Sequence, residues 1–267
     1  MSIHATAIVD KGAVIGSNVT IGPFACIEAN TVIGDGTTIG PHVVIFQHST
    51  IGAGCKIHAG VVIGDLPQDL SFKETVSHVR IGAGCTIREG VTIHRGTKSG
   101  SATEIGNECF LMANAHFAHN VKLGNSVIVA NGVLCAGYVE VGDRAFISGN
   151  CAVHQFVKIG RLAMLGGLSA VSQDVPPFFI TRPTSLNTIA ACNVVGMRRA
   201  KFSSDERTQV RKAFSILYRS GLNVHQALQQ IRSALNSAPV LELCEFIEQS
   251  KRGICGHVKD EDESTSE

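Results

Sequence analysis

The chain has 267 residues, a formal net charge of +1 and a hydrophobic content of 44%. A charge this close to zero argues against nucleic acid or an anionic membrane surface as the partner, and no segment approaches the ~18 consecutive apolar residues of a membrane-spanning helix. With 28 glycines, no Trp and 5% aromatic residues, the composition favours many tight turns around small aliphatic side chains over an ordinary helical globule.

The cysteines and the N-terminal residues indicate the cellular compartment in which the protein is expected to work. The nine cysteines are scattered and form no Cys-x-x-Cys pair, so we expect small buried hydrophobic residues in a reducing environment and no disulfide framework. Residues 1–4 are not followed by the basic and apolar segments of a secretory signal. The sequence therefore predicts a soluble, cytoplasmic protein.

A six-residue repeat of apolar residues runs through the first two thirds of the chain. Its positions are Ile3, Val9, Ile15, Ile21, Ile27, Ile33, Ile39, Ile45, Ile51, Ile57, Ile63, Ile81, Ile87, Ile93, Ile105, Leu111, Phe117, Leu123, Val129, Cys135, Val141, Ile147, Val153, Ile159, Leu165 and Val171. A period of six fits neither an α-helix nor a hairpin. It is typical of a solenoid with three flat faces and ~18 residues in each coil.

Two interruptions of the repeat are predicted to be external loops. Residues 65–77 are polar and contain Pro67, and residues 95–102 are rich in Gly and Ser. Insertions into a solenoid usually map to its functional face. The alternative is that both are tolerated surface loops without a role.

The composition changes after the repeat. Pro176 and Pro177 end the solenoid, and amphipathic helices are predicted over 187–202, 204–220, 224–235 and 240–251. Ser203 and Glu206 have the spacing of a capping box. We therefore divide the chain into a β-solenoid domain over 1–183, an α-helical domain over 184–258, and an acidic tail over 259–267 that we expect to be disordered.

The period also predicts a catalytic site. Residues 18 apart stack on the same face of neighbouring coils, which places His119, Gly137 and Gln155 in one column and Gly149 beside Gly167 in another. An imidazole can take a proton from a hydroxyl, and an accessible backbone N–H can stabilise an oxyanion. These groups suit acyl transfer to an alcohol, and the stacked glycines suit a groove for an extended chain.

Two alternatives for the histidines stay open. A histidine on a solenoid coil is more often a solvated corner residue than a catalyst. A zinc site would need three ligands, for which the candidates are His94, His116, His119 and His154. No His-x-His or His-Glu-x-x-His spacing supports zinc, so we predict no metal and no other cofactor.

The chain resembles the UDP-N-acetylglucosamine acyltransferase family of lipid A biosynthesis over nearly its whole length. The motifs that carry the resemblance are 21–24 (Ile-Gly-Pro-Phe), 67–70 (Pro-Gln-Asp-Leu), 91–97 (Val-Thr-Ile-His-Arg-Gly-Thr), 114–119 (Asn-Ala-His-Phe-Ala-His), 153–156 (Val-His-Gln-Phe) and 173–177 (Gln-Asp-Val-Pro-Pro). The resemblance implies a mainly β fold, a left-handed parallel β-helix with a C-terminal α-helical cap. It also implies a homotrimer with active sites between subunits.

The resemblance implies a reaction and roles for particular residues. An (R)-3-hydroxyacyl group passes from acyl carrier protein to the 3-hydroxyl of the UDP-sugar, with His119 as general base and the Gly137 amide at the oxyanion. Gln68 and Asp69 match residues that reach the sugar from the neighbouring subunit. Gly149 and Gly167 would form the acyl-chain groove. The other positions expected to bind substrate are His116, Tyr138, His154, Gln155, Asn193 and Arg199.

The sequence departs from the family pattern around the acceptor. Ser71 stands where the family usually has Lys, Tyr138 where it often has His, Val195 where it often has Glu, and Ala200 where it often has a basic residue. Asn120 occupies a place taken by Asp in some members. These departures leave two alternatives to O-acyl transfer: an N-acyltransferase acting on a UDP-3-amino sugar, and a non-catalytic paralogue or scaffold of the same fold.

Overall fold

The computed structural model describes residues 1–257, so the predicted acidic tail lies outside the described residues. The described chain contains 28 short strands followed by four helices. The strands are β1 (Ser2–Ile3), β2 (Ile8–Val9), β3 (Val14–Ile15), β4 (Thr20–Ile21), β5 (Cys26–Ile27), β6 (Val32–Ile33), β7 (Thr38–Ile39), β8 (Val44–Ile45), β9 (Ser49–Ile51), β10 (Lys56–Ile57), β11 (Val62–Asp65), β12 (His78–Ile81), β13 (Thr86–Ile87), β14 (Thr92–His94), β15 (Ala102–Ile105), β16 (Phe110–Leu111), β17 (His116–Phe117), β18 (Lys122–Leu123), β19 (Ile128–Val129), β20 (Leu134–Cys135), β21 (Glu140–Val141), β22 (Phe146–Ile147), β23 (Ala152–Val153), β24 (Lys158–Ile159), β25 (Met164–Leu165), β26 (Ala170–Val171), β27 (Phe179–Thr181) and β28 (Ile189–Cys192).

Up to β26, every third strand joins the same sheet, so the chain winds as a three-sided parallel solenoid. The first sheet runs from β1 and β4 to β25, β27 and β28, the second from β2 and β5 to β26, and the third from β3 and β6 to β24. Uninterrupted coils pair in a register of 18 residues, as Ile21 with Ile39 and Phe117 with Cys135. This register is the one that the six-residue period predicts.

The repeat positions form the axis of the solenoid. From Ile21 to Val171 the residue at each of these positions is buried, because its side chain points inwards and packs on the coils above and below. Ile3 is exposed and Val9 and Ile15 are only partly buried, since no coil lies beneath the first one. The core is therefore a column of aliphatic side chains that is open at its N-terminal end.

The two insertions leave the solenoid at the same corner. One connects β11 to β12 over 66–77, and the other connects β14 to β15 over 95–101. Both connections pass from the second sheet to the third, as does the turn between β17 and β18 that carries His119. The loops and this histidine are thus placed together by topology.

The C-terminal region begins with a strand, which corrects the helix predicted over 187–202. The apolar run of β28 pairs antiparallel with β27 and extends the first sheet, because that sheet still has an open edge. The helices are α1 (Val194–Arg199), α2 (Ser204–Arg219), α3 (Val224–Ala234) and α4 (Ala238–Glu248). The predicted capping box of Ser203 and Glu206 is present at the start of α2. The domain division at residue 183 falls in the β27–β28 turn and stays a prediction.

After α4 the chain returns to the solenoid as a C-terminal strap, residues 249–257. Ile254 bridges to Asp174 and Gly256 to Thr188. Residues 1–257 contain no helix that is both long and apolar enough to span a membrane. The strap therefore ties the helical region to the last coils of the solenoid.

Candidate active site

Three successive coils bring His119, Gly137 and Gln155 to one corner of the solenoid. The N–H of Tyr138 donates to the carbonyl of His119 at 3.1 Å, and the N–H of Phe156 donates to the carbonyl of Gly137 at 3.0 Å. Tyr138 and Phe156 have φ angles of 61° and 65°, the left-handed conformation that turns the chain at this corner. The stacking inferred from the period is present in the structure.

The His119 imidazole lies against Gly137. A Cβ atom added at Gly137 would be 2.5 Å from His119 Cε1 and 2.7 Å from Nε2, so only glycine leaves room for the ring. Within residues 1–257 the Gly137 N–H donates no hydrogen bond. An unused amide donor therefore lies beside an imidazole, which is the pairing an acyl-transfer site requires.

Asn120 determines which nitrogen of His119 carries the proton. Its side-chain Oδ1 accepts hydrogen bonds from the Thr97 N–H at 3.1 Å and the Thr97 hydroxyl at 3.0 Å. A backbone N–H can only donate, so this contact fixes the oxygen of the amide in that position. His119 Nδ1 lies 3.1 Å from the same oxygen and must donate to it. The lone pair is then on Nε2, next to Gly137.

Tyr138 completes the wall around His119. Its hydroxyl lies 2.9 Å from the Thr97 hydroxyl, and its ring stacks on Phe156 with a centroid distance of 4.9 Å. The rings of His119 and Tyr138 meet edge to face at 5.3 Å. Thr97, in the second insertion, thus links Asn120 to Tyr138 and holds both against the imidazole.

His116 is held neutral beside the column of His119, Gly137 and Gln155. Burial lowers its pKa to about 4, with a smaller contribution from the charge of His94. Its Nδ1 lies 2.7 Å from the Thr92 hydroxyl, and its ring meets that of His94 at 5.0 Å. Burial also lowers the pKa of His94. His116 therefore offers a neutral imidazole to the site near pH 7.

The first insertion folds over the corner of its own chain that carries His119, and the expectation that Gln68 and Asp69 reach the site of a neighbouring subunit stays a prediction. Gln68 lines the same cleft as His119 within one chain. Hydrogen bonds from the Ser71 hydroxyl at 2.7 Å and N–H at 2.9 Å lower the pKa of Asp69, and the nearby His119 contributes to the lowering. The reason is topological, since the loop leaves the corner that carries His119.

A buried arginine anchors this loop. Arg95 is only 3% exposed, pairs with Glu74 and lies 5.7 Å from the centre of the Phe72 ring. Its Nε has no hydrogen-bond partner among the described residues. The loop that carries Gln68 is thus held by an ion pair and an aromatic contact.

The cleft at this corner has a volume of about 820 Å³. His154 and Gln155 lie exposed at its lip, and its floor is the outer face of the second sheet. The side chains of that floor are apolar: Leu134, Ala152, Ala170 and, beyond the sheet, Leu186. An apolar floor next to a polar corner suits a substrate with an acyl chain and a polar head.

The structure does not bring Asn193 and Arg199 to this cleft. They line a second cleft of about 770 Å³ on the first sheet, together with Phe146 and Val195. The Asn193 side chain caps α1, accepting from the Gly196 N–H at 2.9 Å and donating to a main-chain carbonyl at 2.8 Å. Within one chain, the predicted nucleotide contacts and the predicted base therefore lie on different faces.

Gly149 and Gly167 also lie apart from the catalytic corner. They stack at the other edge of the second sheet, between β22 and β23 and between β25 and β26. A Cβ atom at Gly149 would meet only the Asn131 carbonyl at 3.5 Å, and one at Gly167 only the Gly149 carbonyl at 4.0 Å. The two glycines leave an open groove in the wall.

The part of the chain that the structure describes holds no group of three His, Cys, Asp or Glu side chains placed for a metal ion. The zinc alternative therefore has no ligand set there. Sequence reasoning assigned no role to Thr97, Thr92 or Arg252. Both threonines lie in the 91–97 motif, which was a usable signal, whereas nothing in the sequence connected Arg252 with the cleft.

Family models match both parts of the chain. Residues 174–255 match the model described as UDP-N-acetylglucosamine O-acyltransferase, domain 2. Residues 12–47, 30–65 and 102–137 match the bacterial transferase hexapeptide repeat. The solenoid and the C-terminal region thus each match a model on its own.

Curated relatives and solved structures match over nearly the whole chain. An acyl-[acyl-carrier-protein]–UDP-N-acetylglucosamine O-acyltransferase from Sulfurihydrogenibium is 49% identical over 95% of this chain and 94% of its own length. One from Thermodesulfovibrio yellowstonii is 44% identical over 95% and 98%. The structure of a UDP-N-acetylglucosamine acyltransferase from Bacteroides fragilis superposes with a TM-score of 0.91 at 39% identity, covering 94% of this chain and 99% of that one. The predicted fold, a left-handed parallel β-helix with a helical C-terminal region, is confirmed.

Proposed function

The chain belongs to the UDP-N-acetylglucosamine O-acyltransferase family, and from this premise we propose that it transfers an (R)-3-hydroxyacyl group from acyl carrier protein to the 3-hydroxyl of UDP-N-acetylglucosamine, the first step of lipid A biosynthesis. The observation that carries the proposal is the state of His119. Its Nδ1 proton is held by Asn120, so its Nε2 lone pair is directed to the open side of Gly137. The site thus has a proposed base, His119 Nε2, next to an amide donor, the Gly137 N–H.

The reaction follows from these two groups. Nε2 of His119 removes the proton of the sugar 3-hydroxyl as its oxygen attacks the thioester carbonyl. The Gly137 N–H donates to the oxyanion of the tetrahedral intermediate. The intermediate collapses with cleavage of the carbon–sulfur bond, and the imidazolium returns its proton to the leaving thiolate. No acyl-enzyme is needed, and Cys135 is buried at the axis.

The remaining residues of the corner hold the acceptor. Gln68 and Asp69 cover it from the loop, His116 and Tyr138 face it from the wall, and His154 and Gln155 contact it at the lip. The acyl chain lies in the groove of Gly149 and Gly167. Because neither glycine has a side chain, nothing at these two positions limits the length of the groove. This assignment is supported by the cleft, which four of the six acceptor contacts line: Gln68, His116, His154 and Gln155.

A second copy of the chain completes the site. Asn193 and Arg199 lie on the first sheet and His119 at the edge of the second, so one chain cannot use both on one nucleotide sugar. In a homotrimer the first sheet of one copy faces the catalytic corner of the next, and the Arg199 guanidinium binds the diphosphate. The nine free cysteines agree with a reducing cytoplasm as the place of reaction.

The candidates for docking the acidic acyl carrier protein are Lys158, Arg161, Arg198, Arg199 and Lys201, and two of them already have partners within the chain. Arg161 makes an ion pair with Glu242 and lies over the rings of Phe178 and Phe202, and Lys158 pairs with Glu140. Of the remaining three candidates, Arg199 is already assigned to the diphosphate. We therefore assign Arg198 and Lys201 to the acidic carrier.

The test is acyl transfer by the purified protein, with 3-hydroxyacyl carrier proteins of several chain lengths. UDP-N-acetylglucosamine and its 3-amino analogue are the two acceptors. His119→Ala should lower kcat at least ~100-fold with the hydroxyl sugar, because the general base is lost. The matched control is His42→Ala, an exposed histidine on another corner, which should retain activity.

The two acceptors separate the alternatives. Product from the amino sugar alone would contradict O-acyl transfer and assign the departures at Ser71, Val195 and Ala200 to a changed acceptor. No product from either, with a folded trimer, would favour the scaffold. Full activity of His119→Ala would remove the proposed base.

A further inference from the structure

The C-terminal strap passes the lip of the catalytic cleft at a fixed position. The Asp174 N–H donates to the Gly253 carbonyl at 2.9 Å, and the Cys255 N–H donates to the Asp174 carbonyl at 2.8 Å. The Ser250 hydroxyl donates to the Asp174 carboxylate at 2.6 Å, and Asp174 is only 1% exposed. The strap is therefore held on both sides of Arg252 by one buried residue of the last coil.

Arg252 is the side chain that this arrangement delivers to the cleft. Its Nε donates to the Ser172 carbonyl at 2.8 Å, and its Nη2 lies 3.3 Å from His154 Nδ1. Ser172 and His154 both line the catalytic cleft. The hydrogen bond to the Ser172 carbonyl thus fixes the guanidinium, and its Nη2 faces the ring of His154.

The contact determines the chemistry of His154 because a guanidinium can only donate. Facing Arg252, Nδ1 must present its lone pair, and the neutral ring then carries its proton on Nε2. The competing acceptor is the Gln155 carbonyl, 3.2 Å from the same Nδ1. It would receive a hydrogen bond only from the opposite tautomer, in which an N–H of the ring would point at an N–H of Arg252.

We propose that Arg252 is a positioning residue of the active site, which selects the Nε2–H tautomer of His154 so that this ring enters the cleft as a hydrogen-bond donor. The C-terminal region thereby acts on the site through one side chain, although it contributes no catalytic residue there. The effect on substrate rests on the proposed function, but the effect on the tautomer does not.

The first test is nitrogen-15 NMR of the free, full-length protein with labelled histidine, at a pH where His154 is neutral. His154→Ala identifies the resonances. In the native protein Nδ1 should appear unprotonated, and in Arg252→Met the proton should move to Nδ1, which then donates to the Gln155 carbonyl. Lys251→Met removes the same charge from the adjacent, exposed residue and should leave the signal unchanged. An unchanged signal in Arg252→Met would overturn the proposal.

The second test is a double-mutant cycle on the KM for the acceptor. Arg252→Met should raise KM about tenfold with little change in kcat, because a donor in the site becomes an acceptor. In the His154→Ala background the same substitution should have no further effect. An equal effect in both backgrounds would mean that Arg252 acts without His154. A native protein without transferase activity would refute the proposed function, while the NMR result would still decide the proposal.

Discussion

At the scale of single residues, the group that faces Nδ1 determines what each of three histidines presents to the cleft. Nδ1 of His119 faces an amide oxygen of Asn120, Nδ1 of His116 faces the Thr92 hydroxyl, and Nδ1 of His154 faces the Arg252 guanidinium. A histidine whose Nδ1 is engaged leaves Nε2 for the substrate. Three similar side chains can therefore act as a base, a neutral contact and a donor in one cleft.

The role of Asn120 also bears on its departure from the aspartate of some relatives. The residue is 8% exposed and its own N–H donates to the Thr103 hydroxyl at 2.8 Å. A neutral amide orients the imidazole without placing a charge in this buried position. The departure thus preserves the orientation of the base, although it removes the electrostatic support of a carboxylate.

Gly137→Ala should inactivate the protein without unfolding it. The new Cβ would fall 2.5 Å from His119 Cε1, and the imidazole must then leave its position next to the oxyanion donor. We expect a loss of at least ~100-fold in kcat, since orientation of the base and the oxyanion both suffer. Steady-state kinetics measure the loss, and circular dichroism reports the fold.

Gly256→Ala is the matched control for this change, because no atom lies within 4 Å of the added methyl group there. Its activity should equal that of the native protein. Native activity in Gly137→Ala would mean that the reaction does not require the His119 imidazole to lie against residue 137.

At the scale of elements, the proposed catalytic corner is built from insertions into an otherwise regular solenoid. The first insertion contributes Gln68 and the second contributes Thr97, and both leave the corner that carries His119. The regular coils alone would present an open edge. The insertions convert this edge into a walled cleft, and the contacts that hold them should therefore affect substrate binding more than folding.

Glu74→Gln should loosen the first insertion. Glu74 is a surface residue whose side chain is 70% exposed, and it pairs with Arg95, whose side chain is 4% exposed. Loss of the carboxylate weakens the anchor of the segment that carries Gln68 and Asp69. We expect KM for the acceptor to rise about threefold to tenfold with a smaller change in kcat.

The control for Glu74→Gln is Glu104→Gln, which breaks an exposed ion pair with Arg80 on the third sheet at a distance from the cleft. It should change neither parameter, because exposed pairs of this kind contribute little. Equal kinetics for the two variants would show that the anchor has no influence on the acceptor.

At the scale of the whole molecule, the proposed base and the predicted nucleotide contacts lie in two clefts on different faces of the described chain. One cleft contains His119 and an apolar floor, and the other contains Asn193 and Arg199 beside the exposed Val195. A prism with complementary half-sites on adjacent faces forms complete sites when three copies close a ring. The proposed homotrimer would explain why residues assigned to one substrate lie apart in one chain.

Mixing two inactive variants tests this arrangement. His119→Ala and Arg199→Ala chains should each lose activity, and unfolding and refolding them together should restore about a quarter of the native activity, the fraction of intact interfaces in random trimers. The measurement is acyl transfer after co-refolding, with each variant refolded alone as the control. Activity no higher than the sum of the two alone would contradict sites shared between copies.

The sequence by itself determined the solenoid, its 18-residue coil and the column of His119, Gly137 and Gln155. These features follow from the six-residue period. The period alone predicts which residues pair between neighbouring coils, so no distant contact has to be known. Resemblance added the reaction and the candidate residues. The local signals failed at β28, where a short apolar run joined an open sheet edge and did not form a helix.

Only the tertiary structure decided how distant segments meet. It placed Gln68 over its own chain, Thr97 on Asn120, Arg252 against His154, and Arg199 on another face. None of these contacts belongs to the repeat, because each joins an insertion or the C-terminal region to a coil. The proposed base could therefore be predicted from the sequence. The position of its proton, the walls around it and the location of the predicted nucleotide contacts depend on packing between segments that share no period.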